Sequence, residues 1–191
     1  AVRAGALARS EELPCLWLRG FLPESLTRID DEHLPSKDMI IEDVNEDRCE
    51  WTSGTYYGDA SGGKYSEYPT LRRCGCAVVQ IDTVGELEHA AYFSLPGTIQ
   101  TVPRAELFCV VWLAMNAEPL SDIHFVIDNL GVHDCFNAGP AAGALSSSED
   151  LYTTLFEVIH SKTVRIRITW MPSHLSATDV RPDSVSLLDI K

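Results

Sequence analysis

The hydrophobic period of this chain changes near Thr101, and that change constrains the fold more than any other feature. Before it, residues 55–61 (TYYGDAS), 74–82 (CGCAVVQID) and 88–95 (EHAAYFSL) are short runs rich in strand formers. Turn residues such as Gly62 and Gly63 separate them, so an antiparallel meander is the economical arrangement. After it, residues 103–117 (PRAELFCVVWLAMNA) begin with Pro, have Thr101 at the N-cap position and are apolar almost all round. That pattern predicts a buried helix. A strand at 123–128 (IHFVID) and a helix over 131–136 come next. Residues 139–148 (GPAAGALSSS) read as a small-residue loop, 149–160 (EDLYTTLFEVIH) as an amphipathic helix and 164–170 (VRIRITW) as an alternating strand. The order β-β-β-α-β-α-α-β predicts an α/β fold with a mixed five-stranded sheet flanked by helices. Strands one to three are antiparallel, and strands four and five are parallel through helical crossovers.

The 191 residues suit one domain plus an extension. Residues 53–191 read as the domain, and 1–52 as an N-terminal extension and acidic linker. Within the extension, 13–26 (LPCLWLRGFLPESL) reads as a short docking segment. Residues 30–50 carry nine acids against Lys37 and Arg48, with Met39-Ile40-Ile41 as the one apolar patch. The absence of an initiator Met and the form of the C-terminus suggest a piece of a longer chain. Apolar residues at 45% and charged residues at 23% exclude wholesale disorder. No apolar run approaches the ~20 residues of a membrane span. The net charge of −13 argues against gripping nucleic acid by bulk electrostatics, so such a function would need a local site or bound cations. The six cysteines form no Cys-x-x-Cys and no zinc pattern, and read as reduced thiols of an intracellular protein whose compartment stays open.

Chemistry concentrates in four polar residues that this element order would bring together. Asp59 lies in the first strand, Glu106 in the first turns of the buried helix, Asp128 at the end of the fourth strand and His174 after the fifth. Singly, each has an ordinary reading: turn chemistry for Asp59, capping or the helix dipole for Glu106, an N-cap for Asp128 and plain exposure for His174. A carboxylate on an apolar helix is costly unless a cation or donors compensate it. Three converging carboxylates repel one another unless divalent ions sit between them, and hard oxygen ligands favour Mg²⁺ or Mn²⁺ over zinc.

Residues 55–63, with their Asp-Ala-Ser core, resemble the first strand of the ribonuclease H family. Residues 101–107 (TVPRAEL) resemble its Arg-x-Glu-Leu helix start, Val126-Ile127-Asp128-Asn129 its fourth-strand Asp, and residues 170–174 its Trp-x-x-x-His. The resemblance covers about residues 51–191. It implies a metal-dependent endoribonuclease that cuts the RNA strand of RNA–DNA hybrids and leaves 5′-phosphate and 3′-hydroxyl ends. It implies Asp59, Glu106 and Asp128 as metal ligands, with two Mg²⁺ ions ~3.5–4 Å apart on the scissile phosphate and Mn²⁺ as a substitute. His174 would be a mobile loop histidine aiding proton transfer or product departure. Ser61, Thr101 and Asn129 match positions near the substrate. The acidic leader resembles that of a retroelement polyprotein, which makes a reverse transcriptase domain in the parent chain an expected partner.

The family's fourth carboxylate, about ten residues after the histidine, is missing from its usual Asn-x-x-x-Asp context. Asp179, Asp183 and Asp189 are the nearest alternatives, and Pro182 disfavours a helix there. The expectation is that the last helix lies beyond Lys191. The rival reading is a catalytically degenerate binding or scaffold module on the same fold. An integrase or exonuclease is disfavoured, because the Arg-x-Glu-Leu helix directly follows the third strand.

Overall fold

The alternating segments form the strands they predict, and the near-uniformly apolar segment forms the central helix. The computed structural model describes residues 40–43, 51–69, 71–82 and 84–173, all within the unit Pro35–Lys191. In chain order the elements are β1 (Ile40–Asp43), β2 (Gly54–Ser61), β3 (Gly75–Ile81), β4 (Leu87–Ser94), α1 (Val102–Asn116), β5 (Asp122–Ile127), α2 (Leu130–Asn137), α3 (Pro140–Gly143), α4 (Glu149–Lys162) and β6 (Arg165–Trp170). The sheet order is β1-β4-β3-β2-β5-β6. β2, β3 and β4 are the antiparallel meander, while β5 runs parallel to β2 and β6 parallel to β5. The sheet is therefore mixed as expected, with the five anticipated strands and one more.

The additional strand is β1, paired antiparallel to β4 in the register Ile40↔Tyr92 through Asp43↔His89. Its segment reads as linker in the sequence because acids surround its short apolar patch. Edge pairing, however, is made by backbone groups and does not need an alternating side-chain pattern. Trp51 also joins the core, edge-on to Trp112 with ring centroids 5.0 Å apart. Residues on both sides of the 52/53 boundary thus share one sheet and one core. The remaining residues of 1–50, including 13–26, lie outside the described residues.

Alternating burial in β3, burial on both faces in the middle of β4 and the end of β5, and nearly all-round burial in α1 make the core. In register across β2, β5 and β6, Tyr56 pairs with Phe125 and Phe125 with Ile168, and all three are buried. α1 packs on β2 and β3 and against α4. Its Leu107, Val110, Val111 and Leu113 are almost fully enclosed, each worth about 1.5–3 kcal/mol over exposure. Lys162, at the end of α4, donates through Nζ to the carbonyls of Met115 and Ala117 and so satisfies groups that the end of α1 leaves unpaired. Two local expectations change. Thr101 occupies the N-cap of α1 without a side-chain cap bond; its carbonyl accepts from Ala105 N at 3.0 Å. The small-residue stretch 139–148 contains the single-turn helix α3, started by Pro140.

Candidate active site

Three chain segments meet at the end of the sheet where β2 and β5 finish. Asp59 is exposed near the end of β2, Asp128 directly follows β5, and Glu106 sits in the second turn of α1, 3% exposed. A carboxylate oxygen from each lies within 4.8 Å of the others. The ordinary readings of Asp128 and Glu106 do not hold. Asn129, not Asp128, caps α2, accepting from Val132 N at 3.1 Å. Glu106 lies past the first turn of α1 and does not cap it. Its Oε1 instead accepts from Ala60 N of β2 at 2.9 Å, tying helix to strand.

Next to Asp59, Gly58 leaves room for the Phe125 ring of β5 and for Cys109 of α1. A Cβ at Gly58 would fall 2.3 Å from Phe125 Cζ and 3.2 Å from Cys109 Cβ. Cys109 Sγ contacts the carbonyl of Asp59 at 3.5 Å, and Ala60 N also bonds the Asp59 carboxylate at 2.8 Å. On the other side, Trp170 Nε1 donates to the carbonyl of Asp128 at 2.9 Å and so holds the end of β5 to the end of β6. The backbone beneath both aspartates is therefore pinned by neighbouring elements.

Electrostatically the cluster is unfavourable by itself. Burial pushes the Glu106 carboxyl up to about 8, and the nearby Asp128 and Asp59 carboxylates add to the shift. Its second oxygen, Oε2, is buried with no hydrogen-bond partner. A buried acceptor without a donor costs about 1–3 kcal/mol, and a cation is the natural partner for it among like charges. The three side chains supply only hard oxygen donors, the set that suits Mg²⁺ or Mn²⁺. The donor chemistry and the orphaned oxygen thus both fit a divalent ion.

The carboxylates open into a cleft of about 1060 Å³. Ser61 and Asn129 line it, together with Gly62, Ser66, Met171 and Ser173. Thr101 is exposed but does not line it, so of the three expected substrate contacts the structure brings two to the cleft. His174 and the alternatives Asp179, Asp183 and Asp189 lie outside the described residues. Sequence reasoning missed Gly58, the Ala60 N–H and Cys109. No local pattern marks them, since their roles exist only once β2 lies on α1. It also left Arg104 without a role: its Nη1 donates to Asp150 Oδ1 at 2.7 Å and couples the start of α1 to α4.

Among the described residues, Cys74, Cys76, Cys109 and Cys135 are free thiols. Within the same residues, no helix is long and apolar enough to cross a membrane.

No protein-family model and no curated protein matches the sequence. Solved structures do. One is the protease–reverse transcriptase of prototype foamy virus, at 16% identity and TM-score 0.45, over 68% of this chain and 19% of that one. Another is the RNase H domain of the same virus, at 15% identity and TM-score 0.48, over 72% and 86%. A third is RNase H1 from the halophilic archaeon Halobacterium salinarum, at 13% identity and TM-score 0.45, over 62% and 85%.

Proposed function

We propose that the protein is a divalent-metal-dependent endoribonuclease that hydrolyses the RNA strand of RNA–DNA hybrids. The observation that carries this reading is the convergence of Asp59, Glu106 and Asp128 within 4.8 Å, with one buried Glu106 oxygen left without a donor. The four motifs resembling ribonuclease H, in order along the chain, support the choice of reaction.

In this reading Asp59, Glu106 and Asp128 hold two Mg²⁺ ions, with Mn²⁺ as a substitute. When bound, such ions lower the pKa of an attacking water and stabilise the leaving 3′-oxygen. The chain's own residues do the rest. Ala60 N–H orients Glu106, so that Oε2 is left for a cation. Trp170 holds the Asp128 backbone. Ser61 and Asn129 line the cleft, which supports assigning them to substrate contacts, where a 2′-hydroxyl distinguishes RNA from DNA. His174 is assigned to proton transfer or product departure. The products carry 5′-phosphate and 3′-hydroxyl ends. A reverse transcriptase domain in a parent polyprotein, in an intracellular setting, is the proposed partner.

The test is cleavage of an end-labelled RNA–DNA hybrid with Mg²⁺ or Mn²⁺. Wild-type protein should cut the RNA strand, and Asp128→Asn should lower the rate about 100-fold or more while the protein stays folded. A folded wild-type protein that neither cuts the hybrid nor gains thermal stability from either ion would overturn this reading and leave the degenerate binding module.

A further inference from the structure

We propose that the exposed cations Lys64 and Arg73, in the described parts (residues 62–69 and 71–74) of the loop joining β2 to β3, are a second contact for the phosphate backbone of the nucleic acid, separate from the carboxylate cluster. The inference rests on the hybrid-cutting reading above and adds a surface that the reading does not need.

The loop is internally braced. Ser66 N donates to Gly63 O, Tyr68 N to Tyr65 O, and both Leu71 N and Arg72 N to Tyr68 O. Its adjacent arginines have different tasks. Arg72 folds inward, with Nε and Nη2 donating to the carbonyl of Ser66 at 2.8 and 2.5 Å. Arg73 is exposed. Gly63 adopts φ +69°, and a Cβ there would lie 2.8 Å from the carbonyl of Arg73. This close approach sets the exposed Lys64, whose Nζ lies 5.5 Å from the Tyr65 ring centroid, beside Arg73 at one end of the loop.

Placement and charge single out this loop. Gly62 and Ser66 line the same cleft as Asp59, so a strand crossing the carboxylates passes the loop. The clustered acids and the net charge of −13 repel phosphates, and ions at the cluster can offset this only locally. Most cations of the described residues are committed. Arg104 pairs with Asp150, Arg165 with Asp122, Lys162 with carbonyls of α1, and Arg72 with Ser66. Arg73 Nη1 donates to the carbonyl of the adjacent Arg72 at 2.7 Å in an exposed setting, neither Arg73 nor Lys64 makes an ion pair among the described residues, and the loop carries three cations against Glu67. None of Lys64, Arg73 and the exposed Arg167 of β6 lines the cleft itself, but Lys64 stands in the chain between Gly62 and Ser66, which do, so the loop borders the cleft where a duplex would extend past it. Because the loop is already ordered by its own hydrogen bonds, presenting Lys64 and Arg73 costs little further entropy.

The test compares wild type with the double variant Lys64→Ala/Arg73→Ala. Binding of a fluorescent RNA–DNA hybrid is measured without divalent ions, so that nothing is cut, across a series of salt concentrations. Losing two phosphate contacts should weaken binding about 10-fold or more at low salt and make the slope of log affinity against log salt shallower by about 1–2. With Mg²⁺, KM for the hybrid should rise while kcat and the ion-induced gain in melting temperature stay as in wild type. Wild-type cleavage with the same KM and salt slope in both proteins overturns the loop contact and leaves the nuclease reading standing. A wild type that does not cut, alongside a double variant with the predicted loss of binding, overturns the nuclease reading and leaves the contact standing. Variant and wild type both failing to bind the hybrid overturns the contact as well.

Discussion

Single residues set the chemistry of this site, and Glu106 most of all. Its carboxyl is held at about 8 against an ordinary value of 4.5, so between those pH values the folded protein binds a proton that the unfolded chain has released. Metal-free stability should therefore be highest with respect to this group below pH ~4.5, fall as pH rises to about 8 and level off above it. The total loss is at most a few kcal/mol, about 3–5 by linkage. Melting curves in chelator from pH 5 to 9 measure it. Glu106→Gln removes the charge and offers an amide donor to the neighbouring aspartates. At pH 8.5 the metal-free variant should melt above wild type by several degrees, for about 1–3 kcal/mol, and should lose its response to Mg²⁺. A variant that melts at or below wild type would show that the side chain is structural. Gly58→Ala is the steric counterpart. With Phe125 Cζ of the neighbouring strand β5 at 2.3 Å from the new methyl and Cys109 Cβ of α1 at 3.2 Å, the buried Phe125 ring must shift, at a cost of about 1–3 kcal/mol or more and with weaker metal binding. Thermal melts with and without Mg²⁺ report both effects.

Among elements, α1 joins the core to the site. It is buried nearly all round, so its position is set by β2, β3 and α4 together, and Glu106 inherits that position. Arg104, 10% exposed at its side chain, holds the start of α1 to Asp150 of α4. Asp150→Asn should weaken this tie and leave a buried guanidinium less compensated, for a loss of about 1–3 kcal/mol in urea unfolding. Elements were also where sequence reading succeeded and failed most clearly. The meander strands, the central helix and the parallel strands were legible because each is a run of strand formers or helix formers bounded by turn or capping residues. β1 was not, because an edge strand of four residues among acids has no period to read. α3 was hidden for a related reason, since Pro-Ala-Ala-Gly describes a turn and a single helical turn equally well.

At the level of the whole molecule, an acidic protein is assembled around a cluster of like charges. Any ion that binds the folded cluster and not the unfolded chain stabilises the fold by mass action, about 2.7 kcal/mol at a hundred times its Kd. Adding Mg²⁺ should thus raise the melting temperature and chelator should reverse it. The gain should grow as pH rises toward and past 8, because Glu106 must give up its proton to hold the ion. A gain that is flat across pH 6–9 would separate the ion from Glu106.

By itself the sequence determined the order of the five main strands and the central helix, and the mixed sheet they form, because periodicity is a property of neighbours along the chain. It nominated Asp59, Glu106 and Asp128 only jointly, through their order along the chain and the motifs around them. Only the tertiary structure decided that Ala60 N–H ties Glu106 to β2, that Gly58 admits the Phe125 ring of β5, that Arg72 turns inward while Arg73 stays exposed, and that Thr101 misses the cleft. Each of these depends on contacts between residues far apart along the chain or on how a loop closes on itself. Such contacts arise from packing, and no spacing in the sequence encodes them.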